Sequence, residues 1–275
     1  MKEIENLKET ILKDYPKLGK GSEFDFRCHK DVSCFNMCCS DVNIFLTPYD
    51  IVRLKNRLKM TSQGFLDRYT LLPIDESQNY PVVMLKMEDD EKKACPFVGS
   101  AGCTVYSDRP WACRMFPLGV ASPKEDSQKG TSEFYFMIEE PVCKGYAEKK
   151  RWTVDQWVKD QGVEHYSEMG ELFKEISLHD YFKEKKQLTP AKLEMFYTVC
   201  YNIDRFREFV FESTFLKRFD VDEETVAEIR KDDEELLKFG TNWLKFCLFG
   251  EKTMRVKSDV PTQRQAAVST QAGQL

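Results

Sequence analysis

Twelve consecutive positions hold four cysteines, Cys28, Cys34, Cys38 and Cys39; four more follow at Cys95, Cys103, Cys113 and Cys143. Only Cys200 and Cys247 lie beyond them. Thiolates are soft ligands that suit zinc and iron–sulfur clusters alike. The spacing narrows the chemistry. No C-x2-C pair occurs, so thioredoxin chemistry and the common zinc ribbon both lack their signature. Ferredoxin spacings are absent as well. Thiolates need only meet in space, so the two groups of cysteines can form one split metal site. Such a site would supply folding energy to a region rich in Pro, Gly and turn signals. All eight cysteines are candidate ligands. Neighbours in an extended strand point to opposite sides. Cys38 and Cys39 are therefore expected to differ: one ligates, while the other binds a second metal, stays free or packs.

Other side chains around the thiols could assist. Arg109 and Arg114 flank the second group, and their permanent charge would offset a cysteine cluster or hold a carboxylate. The plainer alternative is a structural ion pair with the nearby Asp108 or with the distant Glu-rich segments. Phe24, Phe26, Phe35, Phe97, Tyr106, Trp111 and Phe116 lie near the cysteines in sequence and would exclude water from a cluster. Of the three histidines, His29 reads as a loop residue, and His165 and His179 as surface or interfacial ones. A histidine-based catalytic metal or a Ser-His-Asp triad is poorly supported. Cys200 and Cys247 sit among apolar residues at helical spacing and read as core.

The elements that must position these residues are short in the first half and helical in the second. "TPYDIVRLKNRL" has Thr47 as N-cap, Pro48 at the first helical position and Asp50 at N3. "TSQGFLDRY" opens a second helix at Thr61, and "TVDQWVKDQ" is a capping box. "YPVVMLKM" and "EFYFMI" are strand candidates. Long helices are expected over roughly 166–185, 190–217 and 222–249. The expected organisation is an N-terminal helix (1–20), a Cys-rich region (21–150), a helical region (151–250) and a flexible tail (251–275). The fold class is α+β, mainly α, with an irregular Cys-rich region packed on a helical half.

A chain of 275 residues can bury a sizeable core. The formal charge of −5 and the lack of a Lys/Arg stripe argue against nucleic-acid binding. No apolar run reaches spanning length, which points to a cytoplasmic protein with no membrane contact, where cysteines more often bind metal than pair.

The second group, "ACPFVGSAGCTVYSDRPWACRMFPLG", resembles the CxxCxxCC cysteine-cluster family, the YkgJ-like zinc- or iron-chelating domains. The order Cys38-Cys39, Thr47-Pro48, Cys95-Pro96-Phe97, Cys103 to Tyr106, Arg109-Pro110 and Cys113 to Pro117 is that of the family. Cys143-Lys144-Gly145 and the segment Thr153 to Trp157 continue the likeness. The first group departs from the family name, with intervals of five and three residues. The resemblance implies thiolate-bound zinc or an iron–sulfur cluster such as 4Fe–4S, of which the irregular spacing favours the cluster. The flagellin lysine methylases look similar across the cysteines. Through them the resemblance extends to an S-adenosylmethionine-dependent methyltransferase acting on a protein substrate, with a redox partner as the alternative. No glycine-rich nucleotide loop follows a strand. Metal or cluster binding is the leading expectation, with redox or other metal-dependent catalysis a further alternative to methylation; the identity of a substrate or partner and the oligomeric state carry no signal.

Overall fold

The computed structural model describes residues 15–73, 79–121, 134–183 and 187–257. About half of the chain is helical, and the strands are short and grouped in small sheets, an α+β fold that is mainly α.

Helix starts follow their caps. Pro48–Leu58 begins with Thr47, whose hydroxyl accepts from the Asp50 amide while the Asp50 carboxylate accepts from the Thr47 amide. Thr61 caps Ser62–Tyr69, and Thr153 with Gln156 forms the reciprocal box of Val154–Asp160. The second strand candidate forms Phe134–Met137, antiparallel to Leu118–Ala121. The first forms Val83–Leu85, central between Phe45–Leu46 and Thr70–Leu71. Glu23–Asp25 pairs with Arg151–Thr153, joining the start of the Cys-rich segment to its end.

The three long helices are interrupted. The first is Val163–Ser177 followed by a short turn of helix, Asp180–Lys183. The second breaks into Pro190–Tyr201, Ile203–Glu212 and Phe215–Arg218. Asn202, at its first break, is buried: its side chain accepts from the Ser62 hydroxyl at 2.7 Å and donates to Gln63. The break thus serves the start of another helix, a tertiary demand that periodicity does not register. The third divides at Asp232, whose carboxylate accepts from the Glu234 and Glu235 amides and opens Asp233–Leu244. Its last turn widens to a π-helix over Lys245–Phe249.

Most of the expected N-terminal helix lies outside the described residues. Residues 15–20 are not helical, and Leu18 instead exchanges backbone hydrogen bonds with Tyr135. Most of the expected tail is also outside; within 251–257, Arg255–Val256 pairs with Phe219–Asp220.

Two apolar cores lie beneath the cysteines. The larger joins Tyr49, Leu54, Val83 and Phe97 to Phe196, Phe206 and Leu236 of the helical half, with Cys95 and Cys103 packed against it. The smaller contains Phe24, Phe26, Met115, Leu118 and Trp157, with Cys143 against it. Trp111 touches both. Cys200 is buried in the larger core and Cys247 packs on it, as expected.

Candidate metal centre

Cys38 and Cys39 lie on a single 3-10 turn, Met37–Cys39, and not on an extended strand. Their side chains therefore leave the backbone at about 120° to each other, from the three residues per turn of that helix. Left-handed residues bracket the turn, Asn36 (φ 68°) and Asp41 (φ 50°), both of types that tolerate this conformation. The Asn36 side-chain amide donates to the Gly99 carbonyl at 3.0 Å and pins the turn to the second cysteine group.

Around this turn the thiols sort into two neighbourhoods. On one side, Cys34 meets the segment of Cys143: its sulfur accepts from the Lys144 amide at 3.1 Å. The Arg27 amide donates to the Gly145 carbonyl, bringing Cys28 to the same place. Burial, then the neighbouring Cys38, Cys143 and Cys34 sulfurs, pushes the Cys28 thiol up to about 11. On the other side, the Cys95 amide donates to the Cys39 carbonyl at 2.7 Å, and Ser40 bridges to Ala94. The hairpin Val98–Gly99 and Gly102–Cys103 returns Cys103 toward Cys95. Burial, then Cys95, Asp50 and Cys103, raises the Cys113 thiol to about 12. Within the adjacent pair, the Cys39 thiol donates to Cys38, which lowers Cys38 to about 7 and raises Cys39.

Cys113 is positioned by a carboxylate. Asp50 is buried; one oxygen accepts from Thr47, and the other accepts from the Trp111 amide at 2.8 Å, at the start of the helix Trp111–Met115. Burial raises the Asp50 carboxyl to about 6 despite these hydrogen bonds. Sequence pattern identified Asp50 as a cap residue; its second role was not visible, because the partner lies 61 residues away.

Both arginines are buried, and they act differently. Arg114 donates to the carbonyls of Arg109, Ser107 and Gln161 and to the Tyr166 hydroxyl, and lies over the Tyr166 ring. Arg109 donates to the Tyr106 carbonyl and the Gln161 side chain, while its charge counters the burial that raises Cys103 and Cys113. The ion pair with Asp108 is not formed by either: Asp108 pairs with Arg53. His29 stands between Asp31 and Glu148, and His165 and His179 pair with glutamates at the surface of the helical half. Of the aromatics, Phe26, Phe97 and Trp111 pack in the cores beneath the thiols, whereas Tyr106 is exposed.

Among the described residues, no three Cys, His, Asp or Glu side chains already converge as an ion-holding group. What the backbone supplies is proximity of soft donors. The chemistry of that donor set fits zinc or iron: all eight are soft thiols, and in six of them a neighbouring thiol contributes to the shift in acidity. At the raised thiols burial, and at most of them a neighbouring sulfur as well, opposes ionisation, the condition that a bound cation relieves.

Comparison with known families adds an independent finding. Residues 27–151 match the CxxCxxCC family, described as a "putative zinc- or iron-chelating domain". No curated protein and no solved structure matches the chain.

Proposed function

We propose that this chain, whose residues 27–151 match the CxxCxxCC family model, is a metal-centre protein whose thiolates hold an iron–sulfur cluster. Zinc is the other occupant that the same donors suit. The observation that carries the reading is the docking of the segment 34–39 between two distant cysteine segments, through Cys39–Cys95 and Cys34–Lys144 contacts.

The residues have separable roles. Cysteine sulfurs donate to the metal and surrender their protons as it binds. Arg109 lowers the charge cost at Cys103 and Cys113. Asp50 and Arg114 act as positioning residues that hold the Trp111–Met115 helix and the turn before it. Phe26 and Phe97 keep water from the inner side, which in a redox centre tunes potential. When bound, the cluster would supply one-electron chemistry or a fixed cross-link between segments.

Irregular cysteine intervals favour the cluster, since structural zinc usually shows paired knuckles. Anaerobic purification followed by absorption spectroscopy with iron, zinc and acid-labile sulfide analysis tests it. Iron and sulfide in comparable amounts, with broad visible absorption, are expected. Stoichiometric zinc without sulfide would replace the cluster by a zinc site and keep the thiolate centre.

A further inference from the structure

We propose that the chain carries two four-thiolate sites: Cys28, Cys34, Cys38 and Cys143 form one, and Cys39, Cys95, Cys103 and Cys113 form the other. The adjacent cysteines are thereby divided between two centres. This rests on the metal-binding reading above and adds the number of centres and the ligands of each.

The backbone carries the division. Cys34 meets the 143–145 segment through the Lys144 amide, and Arg27, beside Cys28, meets Gly145. Cys39 meets Cys95 through a backbone hydrogen bond, and the hairpin that follows returns Cys103 to the same side. Cys113 arrives there on a helix tied to Asp50, whose own helix packs in the larger core. Apolar packing divides in the same way: Cys95 and Cys103 lie on the larger core and Cys143 on the smaller. A 3-10 turn is the conformation that lets neighbouring side chains diverge without pointing to opposite faces, so Cys38 and Cys39 can each enter one group.

The two sets meet at the adjacent residues Cys38 and Cys39 of one turn. Four thiolates are a complete set for tetrahedral zinc or for a cubane or rhombic cluster, so neither group needs a donor from the other. The pair contact also places the two centres side by side. Loss of one should therefore loosen the other without abolishing it.

Metal content of the full-length chain, purified anaerobically, tests the division. Cys143→Ser and Cys103→Ser are each expected to retain about half the wild-type metal, and the double variant almost none. Complete loss from either single variant that still shows wild-type helical content would overturn two independent sites. A second measurement needs no substitution: cobalt(II) titration of the metal-stripped wild-type chain, followed by sulfur-to-cobalt charge-transfer absorption. Two equivalents are expected before saturation. Saturation at one equivalent removes the second site while leaving a thiolate centre in place; absence of any charge-transfer band defeats the metal reading itself, and the division with it.

Discussion

Arg114 shows how a single side chain can serve a thiolate centre without touching it. Its guanidinium satisfies three carbonyls, two of them in the 107–109 turn that precedes Cys113 and one at Gln161. Lysine has no planar fork and cannot reach this set at once. Arg114→Lys is therefore expected to destabilise the chain by about 2–3 kcal/mol, as buried acceptors lose charged donors, measured by urea denaturation. A change below about 0.5 kcal/mol, the range of ordinary surface substitutions, would contradict this placing role. From sequence, Arg109 and Arg114 were legible as charges beside thiols. Their division of labour was not, because it depends on Gln161 and Tyr166, about fifty residues further on. The adjacency of Cys38 and Cys39 was legible in the sequence; the 3-10 turn that carries them depends on left-handed Asn36 and on its distant acceptor, Gly99.

At the scale of elements, two glycines mark where cysteine segments approach each other. A Cβ at Gly145 would lie 3.0 Å from the Arg27 carbonyl and 2.8 Å from Phe26, so the segments of Cys28 and Cys143 would have to part. Gly145→Ala is expected to cost about 1–3 kcal/mol through overpacking and to lower metal affinity more than Gly19→Ala, where nothing lies within 4 Å. Equal metal affinity in the two variants would mean that this approach does not shape the site. Gly102, at φ 114° and where an added Cβ would lie 3.2 Å from Phe35, closes the hairpin that returns Cys103. Gly102→Ala is expected to cost about 1–3 kcal/mol from backbone strain, read as a lowered denaturation midpoint. Local signals predicted the caps at Thr47, Thr61 and Thr153 because each is satisfied within three residues. The interrupted helices escaped, since Asn202 breaks its helix to bond Ser62 and Gln63, a partnership no local window contains.

Across the whole molecule, the Cys-rich and helical regions are joined by charge as well as by the larger core. Lys55 is buried and lies 2.9 Å from Asp233 and 3.1 Å from Asp204, while Arg207 also pairs with Asp233. Burial alone would raise the Asp233 carboxyl, but hydrogen bonds from Arg207, Lys55 and Asn56 outweigh it and hold the group below its ordinary value of 3.8. A depressed carboxylate stabilises fully above its unfolded value and less as pH falls through the folded one. Asp233→Asn is therefore expected to cost about 3 kcal/mol near neutral pH, by leaving buried cations underpaired. That difference should narrow as pH falls below about 4. Urea midpoints of wild type and variant across pH 2–7 check this; a constant difference would mean that the pairing does not set it.

The central claim is that cysteine sulfur, gathered from segments as distant as Cys39 and Cys95, is the metal's ligand. X-ray absorption at the metal edge of the purified full-length chain tests it most directly. The account predicts a first shell composed of sulfur, at about 2.3 Å for zinc or for cluster iron. A first shell of oxygen and nitrogen, with the eight cysteines open to alkylation in the metal-loaded chain, would contradict it.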